Sequence, residues 1–108
     1  MSSIREMQAQ HKEWQQHNFP DQTAMDAFMG MVEETGEMSH ALLKHRQGIR
    51  DVDGESVMAL VVDALADHFI FSLGFANLYG IDLQYAIEST WDRVRQRDWI
   101  ADPSRGGE

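Results

Sequence analysis

The chain has 108 residues, 18 acidic and 9 basic, for a net charge of −9 and an isoelectric point near 4.8. That length leads us to expect one domain, and the acidic balance argues against binding nucleic acid or anionic membranes, which needs a basic surface. The absence of cysteine excludes disulfides, thiolate zinc sites and cysteine nucleophiles, and it fits a cytoplasmic protein. A phosphate ligand would need a cation to bridge it to so acidic a protein.

The first stretch, Met1–Trp14, carries charges throughout and has no apolar signal region. A helix is expected from about Ser3 to His17, with Ser2 or Ser3 as cap and Ile4, Met7, His11 and Trp14 in one stripe. Pro20, in the segment HNFPDQTA, ends it. Trp14 reads either as a core aromatic or as a wall for a flat ligand.

A second helix starts near Asp21 or Thr23 and runs to about Arg46, stopped by Gly48. Its apolar side is Met25, Phe28, Met29, Met31, Val32, Met38, Leu42 and Leu43, and into it are set Glu33, Glu34 and Glu37. Glu37 lies four residues from Glu33 and three from Glu34, so it neighbours both on the helix surface and repels them. The bland reading is a solvated acidic edge. Gly36, costly inside a helix, argues instead that something approaches the backbone there. The loop Gly48–Glu55 lacks the ligand pattern of a calcium-binding loop.

The third element, Val57–Ile81, is the most apolar of the chain. A helix of roughly 24 residues, about 36 Å long, fits it, and a helix that is oily all round is expected to be buried all round. Asp63 and Asp67 sit on it one turn apart, and such groups are held in an interior only when paired or metal-bound. Its uncharged run, Phe69–Ile81, is too short to span a bilayer. Gly80 and Asp82 mark the next break, and a fourth helix is expected from Leu83 to about Arg97. Leu83, Ala86, Ile87, Thr90, Trp91 and Val94 should face inward. Arg93, Arg95 and Arg97 at its end read as complements of the helix dipole or as phosphate contacts. Residues 101–108 are expected to form a disordered tail.

The expected fold is therefore an all-α bundle of four helices. A chain this short cannot surround its longest helix, so an obligate homo-oligomer, dimer or tetramer, is expected with the second and third helices near the interface.

VEETGEMSHALLK, then DALADHFIFSLGFANLYGIDL, then WDRVRQRDW, together resemble the MazG-like all-α nucleoside triphosphate pyrophosphohydrolases over about Met7 to Trp99. The family pattern is EExxE on one helix and ExxD on the next. Glu33, Glu34, Glu37 and Asp67 match it; the Glu before that Asp is Ala64 here, with Asp63 one place earlier. The resemblance implies a four-helix domain over residues 1–100. It also implies Mg²⁺-dependent hydrolysis of an NTP or dNTP to the monophosphate and pyrophosphate, with Mn²⁺ able to substitute. Glu34, Glu37, Asp67 and Asp63 are then candidate metal ligands, and Glu33 and Glu34 candidate catalytic groups that orient and deprotonate water. Arg93, Arg97 and Lys44 are candidate phosphate contacts, and Trp14 a candidate base contact. A phosphoribosyl-ATP pyrophosphatase is a sister possibility.

Two other classes stay open. Glu37-Met38-Ser39-His40 is an ExxH unit of the kind used by di-iron bundles, which need two such units and two further Glu residues. A non-catalytic acidic interaction module is the other, since fold does not fix function.

Overall fold

The computed structural model describes residues 2–50 and 54–107, and among them the chain is all-helical. The elements are α1 (Ile4–Asn18), α2 (Ala24–Gln47), α3 (Gly54–Tyr79) and α4 (Leu83–Val94).

Local chemistry sets most of the boundaries. Ser3 caps α1 by accepting the Glu6 N–H. Thr23 and Asp26 form a reciprocal capping box at the start of α2, and Gly48 closes it in the left-handed region at φ 70°. Such a cap contributes about 1 kcal/mol. At the end of α3, Gly80 takes φ 67° and the Ile81 N–H reaches back to the Ala76 carbonyl at 2.9 Å. Asp82 then caps α4 by accepting from the Tyr85 N–H.

Helices α2 and α3 form an antiparallel hairpin. Its register shows in paired positions: Gly30 lies against Phe71, and Gly54 against His45. The hairpin closes over small side chains, with Ala27, Ala41, Ala64 and Ala76 buried alongside Val57 and Leu73. A Cβ at Gly30 would overlap the Phe71 ring, so that glycine is what allows the ring to approach α2 so closely. Helix α1 packs on α3 and on α4. Gln8 ties these elements: its amide donates to the Ile81 carbonyl at 2.6 Å, its side-chain oxygen accepts the Leu83 N–H, and its backbone carbonyl accepts from Asn77. Arg5 adds an exposed ion pair to Asp82 at 3.0 Å.

The expectation that α3 is buried all round does not hold within one chain. Met58, Leu60, Val62, Leu65 and Phe69 are exposed on it, as are Met25, Phe28, Met29 and Val32 on α2. No large side chain is fully buried among the described residues. The radius of gyration is 17.5 Å, against about 13 Å for a compact chain of this length. One chain thus does not close a bundle. By length and composition alone α3 is also apolar enough to cross a membrane, a property shared by core helices of soluble proteins.

The end of the chain differs from expectation too. Helix α4 stops at Val94, so Arg93 and Arg97 are not neighbours on one helical face. Of the positions expected to face inward, Leu83 and Ala86 are half-buried, whereas Ile87, Thr90, Trp91 and Val94 are exposed. In segment 101–108, expected as a disordered tail, the described residues carry local hydrogen bonds. The Asp102 carboxylate accepts from the backbone N–H groups of Ser104, Arg105 and Gly107, and Gly106 is buried against the Arg97 side chain.

Candidate metal centre and adjoining cavity

Successive turns of α2 bring Glu33, Glu34 and Glu37 together, with one carboxylate oxygen from each within 4.8 Å of the others. Glu33 and Glu37 are exposed, while Glu34 points into the α2–α3 contact and is only 7% exposed. Its Oε2 is buried with no hydrogen-bond partner. A buried carboxylate in that position is costly, and the cost appears in its acidity. Burial first, then a hydrogen bond shared with Glu37 and the charges of Glu37, Asp67 and Glu33, push the Glu34 carboxyl up to about 7.

Asp67 is half-buried on α3 and close enough to act on Glu34 across the hairpin. Asp63 stands differently. It is exposed and lines a shallow concavity with Glu55, Met58, Ala59, Val62 and Ala66, so it is not held in the interior of the chain as its place on an apolar helix implied. The expected approach at Gly36 is also absent within one chain, where a Cβ there would meet open space. His40, the last residue of the ExxH unit, is exposed, and the converging oxygens all come from carboxylates.

The candidate phosphate contacts are dispersed. Lys44 lies two turns beyond Glu37 on α2, its Nζ donating to Gln47 at 3.3 Å. Arg93 is exposed in the last turn of α4, and α4 packs on α1 rather than joining the carboxylate helix. The Arg97 guanidinium stands 5.9 Å from the centre of the Trp99 ring.

Trp14 does line a cavity. A space of about 410 Å³ lies between α1 and the α2–α3 hairpin, walled by His11, Trp14, Gln15, Phe19, Gln22, Ala27, Ile70, Phe71 and Gly74. Trp14 is half-exposed at 51% and meets Phe19 edge-on, with ring centres 5.7 Å apart. Phe71 and Ile70 on the cavity wall are one turn from Asp67, about 5 Å along α3 at 1.5 Å per residue. Asp67 thus lies one turn of α3 from the cavity wall, which none of the carboxylates lines. Sequence reasoning placed His11 in the α1 stripe but missed Gln15 and Gly74. The available signal was a glycine inside the most apolar helix.

Compared with known proteins, the chain matches no family model, no curated protein and no solved structure.

Proposed function

We propose that this chain is a metal-dependent nucleoside triphosphate pyrophosphohydrolase, acting on an NTP or dNTP to yield the monophosphate and pyrophosphate. The observation that carries the reading is the convergence of Glu33, Glu34 and Glu37 beside Asp67, with a buried, unpartnered Glu34 oxygen at its centre. Structural carboxylates are arranged to avoid such crowding; ligands of a hard divalent cation are arranged to achieve it.

The donor set fits Mg²⁺ or Mn²⁺, which prefer oxygen ligands. Glu34, Glu37 and Asp67 are assigned as ligands. When bound, the cation neutralises charge on the triphosphate and on the group that leaves. Glu33, exposed at the rim, accepts the proton of the attacking water and orients it. Water supplies the oxygen that replaces one bond to the oxygen bridging the α- and β-phosphates, and pyrophosphate departs. Positioning and charge account for most of such catalysis. Trp14, on the adjoining cavity, stacks on the base. Lys44, Arg93 and Arg97 stay candidates for the distal phosphates, with those of a second chain included.

We further assign the working form as a homo-oligomer, dimer or tetramer, in which the exposed faces of α2 and α3 pair with a second copy to complete a helical bundle. The extended shape and the absence of any fully buried large side chain among the described residues support this. A cytoplasmic location goes with this reading. The test is pyrophosphate release from a panel of NTPs and dNTPs with Mg²⁺, Mn²⁺ or EDTA.

A further inference from the structure

Helix α4 carries an apolar stripe of the kind that faces a core, yet none of its residues is buried. Ile87, Trp91 and Val94 on that stripe are 39%, 60% and 36% exposed. At its N-terminal end the stripe runs into a groove of about 380 Å³ between α1, α3 and α4. Ile4, Met7, Phe69, Leu73, Leu83 and Ile87 line the groove, and every residue on its wall is apolar.

Past the other end of α4 the chain builds the opposite shape. The Asp98 N–H donates to the Gly106 carbonyl, the Asp102 N–H to the Asp98 carbonyl at 2.9 Å, and the Gly106 N–H to the Asp102 carbonyl at 2.7 Å. The Asp98 carboxylate accepts from the Ile100 and Ala101 N–H groups, each at 3.0 Å. Gly106, at φ 71°, lies so close to Arg97 that a Cβ there would come within 2.7 Å of the Arg97 Cβ. These bonds close a loop that carries Trp99 and Ile100, 54% and 97% exposed. A lone exposed apolar side chain needs no explanation. Ile100 differs in being held by its own backbone beside a tryptophan, so little freedom is left to lose when it is covered.

We propose that the Trp99–Ile100 tip of each chain seats in the α1–α3–α4 groove of a second copy, joining two chains antiparallel along α4. Groove and tip lie at opposite ends of a 12-residue helix, about 18 Å long. Reversing one copy against the other therefore brings both tips to both grooves, and the contact closes on itself. With the two-fold axis near Ser89, Ile87 of each copy lies against Trp91 of the other. The charges agree with this placement. Arg93 and Arg105 are exposed near the tip, whereas Glu6 and Glu88 are exposed next to Met7 and Ile87 of the groove. Arg5, also on that side, is already paired with Asp82. Such complementarity fixes the register between two copies that are each acidic overall. Trp91, Trp99, Ile100 and the groove rim offer roughly 600 Å² per copy, or about 1,200 Å² in all, the low end for a specific interface. The proposal does not rest on the pyrophosphohydrolase reading. It adds an interface to the α2–α3 pairing, and the two together make a tetramer.

The experiment is sedimentation of the full chain at micromolar concentration. Ile100→Asp should halve the native mass and leave the helical circular dichroism unchanged, since that side chain touches almost nothing in its own chain. Ile87→Glu, which puts a charge in the groove, should also halve it, and Ile100→Leu should not. A second measurement uses the absence of cysteine. Chains carrying Ile100→Cys, mixed with chains carrying Met7→Cys, should be joined by a short bismaleimide into a product of twice 12.4 kDa on a denaturing gel. The yield should be several-fold that of Ile100→Cys mixed with Met25→Cys, whose site is on α2. A fall from four chains to two leaves the α2–α3 pairing standing; a fall from two chains to one removes that pairing and leaves this one. A wild-type monomer, an unchanged mass in Ile100→Asp, or a Met7 cross-link no stronger than the Met25 control would overturn the proposal, and the groove would then take a partner other than this chain.

Discussion

The Glu34 carboxyl on α2 is buried within reach of Asp67 across the hairpin on α3: burial first, then a hydrogen bond and charge from Glu37, then the charges of Asp67 and Glu33 raise its pKa to about 7. Three neighbouring acids thus act on one buried carboxyl that would be tolerated more easily alone.

The first consequence is a pH dependence of stability without metal. Glu34 has a raised pKa in the folded state, against 4.5 as its ordinary value. Between these two values the folded chain holds more protons than the unfolded one, so stability falls as pH rises. Below about 4.5 both states are protonated and the penalty is absent; above about 7 it is fully present. Thermal unfolding in EDTA should give a melting temperature that declines across this window, and Glu34→Gln should flatten the decline. A wild-type melting temperature that rises from pH 5 to pH 7.5 without metal, with Glu34→Gln unchanged, would contradict the assignment.

Metal reverses the balance. Mg²⁺ should stabilise the wild type by mass action, more strongly above pH 7 than below because proton and metal compete for Glu34. Glu37→Gln and Asp67→Asn should lose most of that stabilisation and at least about a hundredfold in turnover, while their metal-free stability holds or rises. Asp63, exposed and not among the charges that act on Glu34, should behave otherwise: Asp63→Asn should keep most of the Mg²⁺ response. Loss of that response would return Asp63 to the ligand set.

Assembly follows from the exposed apolar faces of the hairpin. The native mass by light scattering should be a multiple of 12.4 kDa at micromolar concentration. Leu65→Glu, placed on the exposed side of α3, should dissociate the assembly or prevent folding. A folded wild-type monomer would show that one chain tolerates these faces in water.

Close packing of the hairpin gives a prediction that does not depend on function. Gly30→Ala pushes a methyl into the Phe71 ring. It should cost about 1–3 kcal/mol, the range for overpacking, measured as a drop in melting temperature. In an exposed helix the same change would stabilise, so the sign distinguishes the two environments.

Much of the fold was legible locally. Ser3, the Thr23 cap, Gly48, Gly80 and Asp82 each carry a boundary in their own chemistry, and the structure uses all of them. The carboxylate group was legible for a similar reason, since spacing on one helix brings Glu33, Glu34 and Glu37 together whatever else the chain does. What was not legible depends on register between helices. Nothing local tells that Gly30 meets Phe71, that Gly74 seats Gln15 and His11, or that Asp67 turns toward Glu34 while Asp63, one turn earlier, stays outside. The reach of α4 was overestimated because its arginines continue a helix-compatible composition, whereas the helix ends at Val94 with Arg95 as its cap, still in right-handed helical geometry and paired with Asp92 at 2.7 Å.

The most direct test of the central claim is pyrophosphate release from a panel of NTPs and dNTPs, run on the wild type with Mg²⁺, on the wild type with EDTA, and on Asp67→Asn with Mg²⁺. The account predicts equimolar monophosphate and pyrophosphate from at least one nucleotide in the first reaction, with the second and third at background. No release from any nucleotide with Mg²⁺ or Mn²⁺, or release that survives both EDTA and Asp67→Asn, would contradict it.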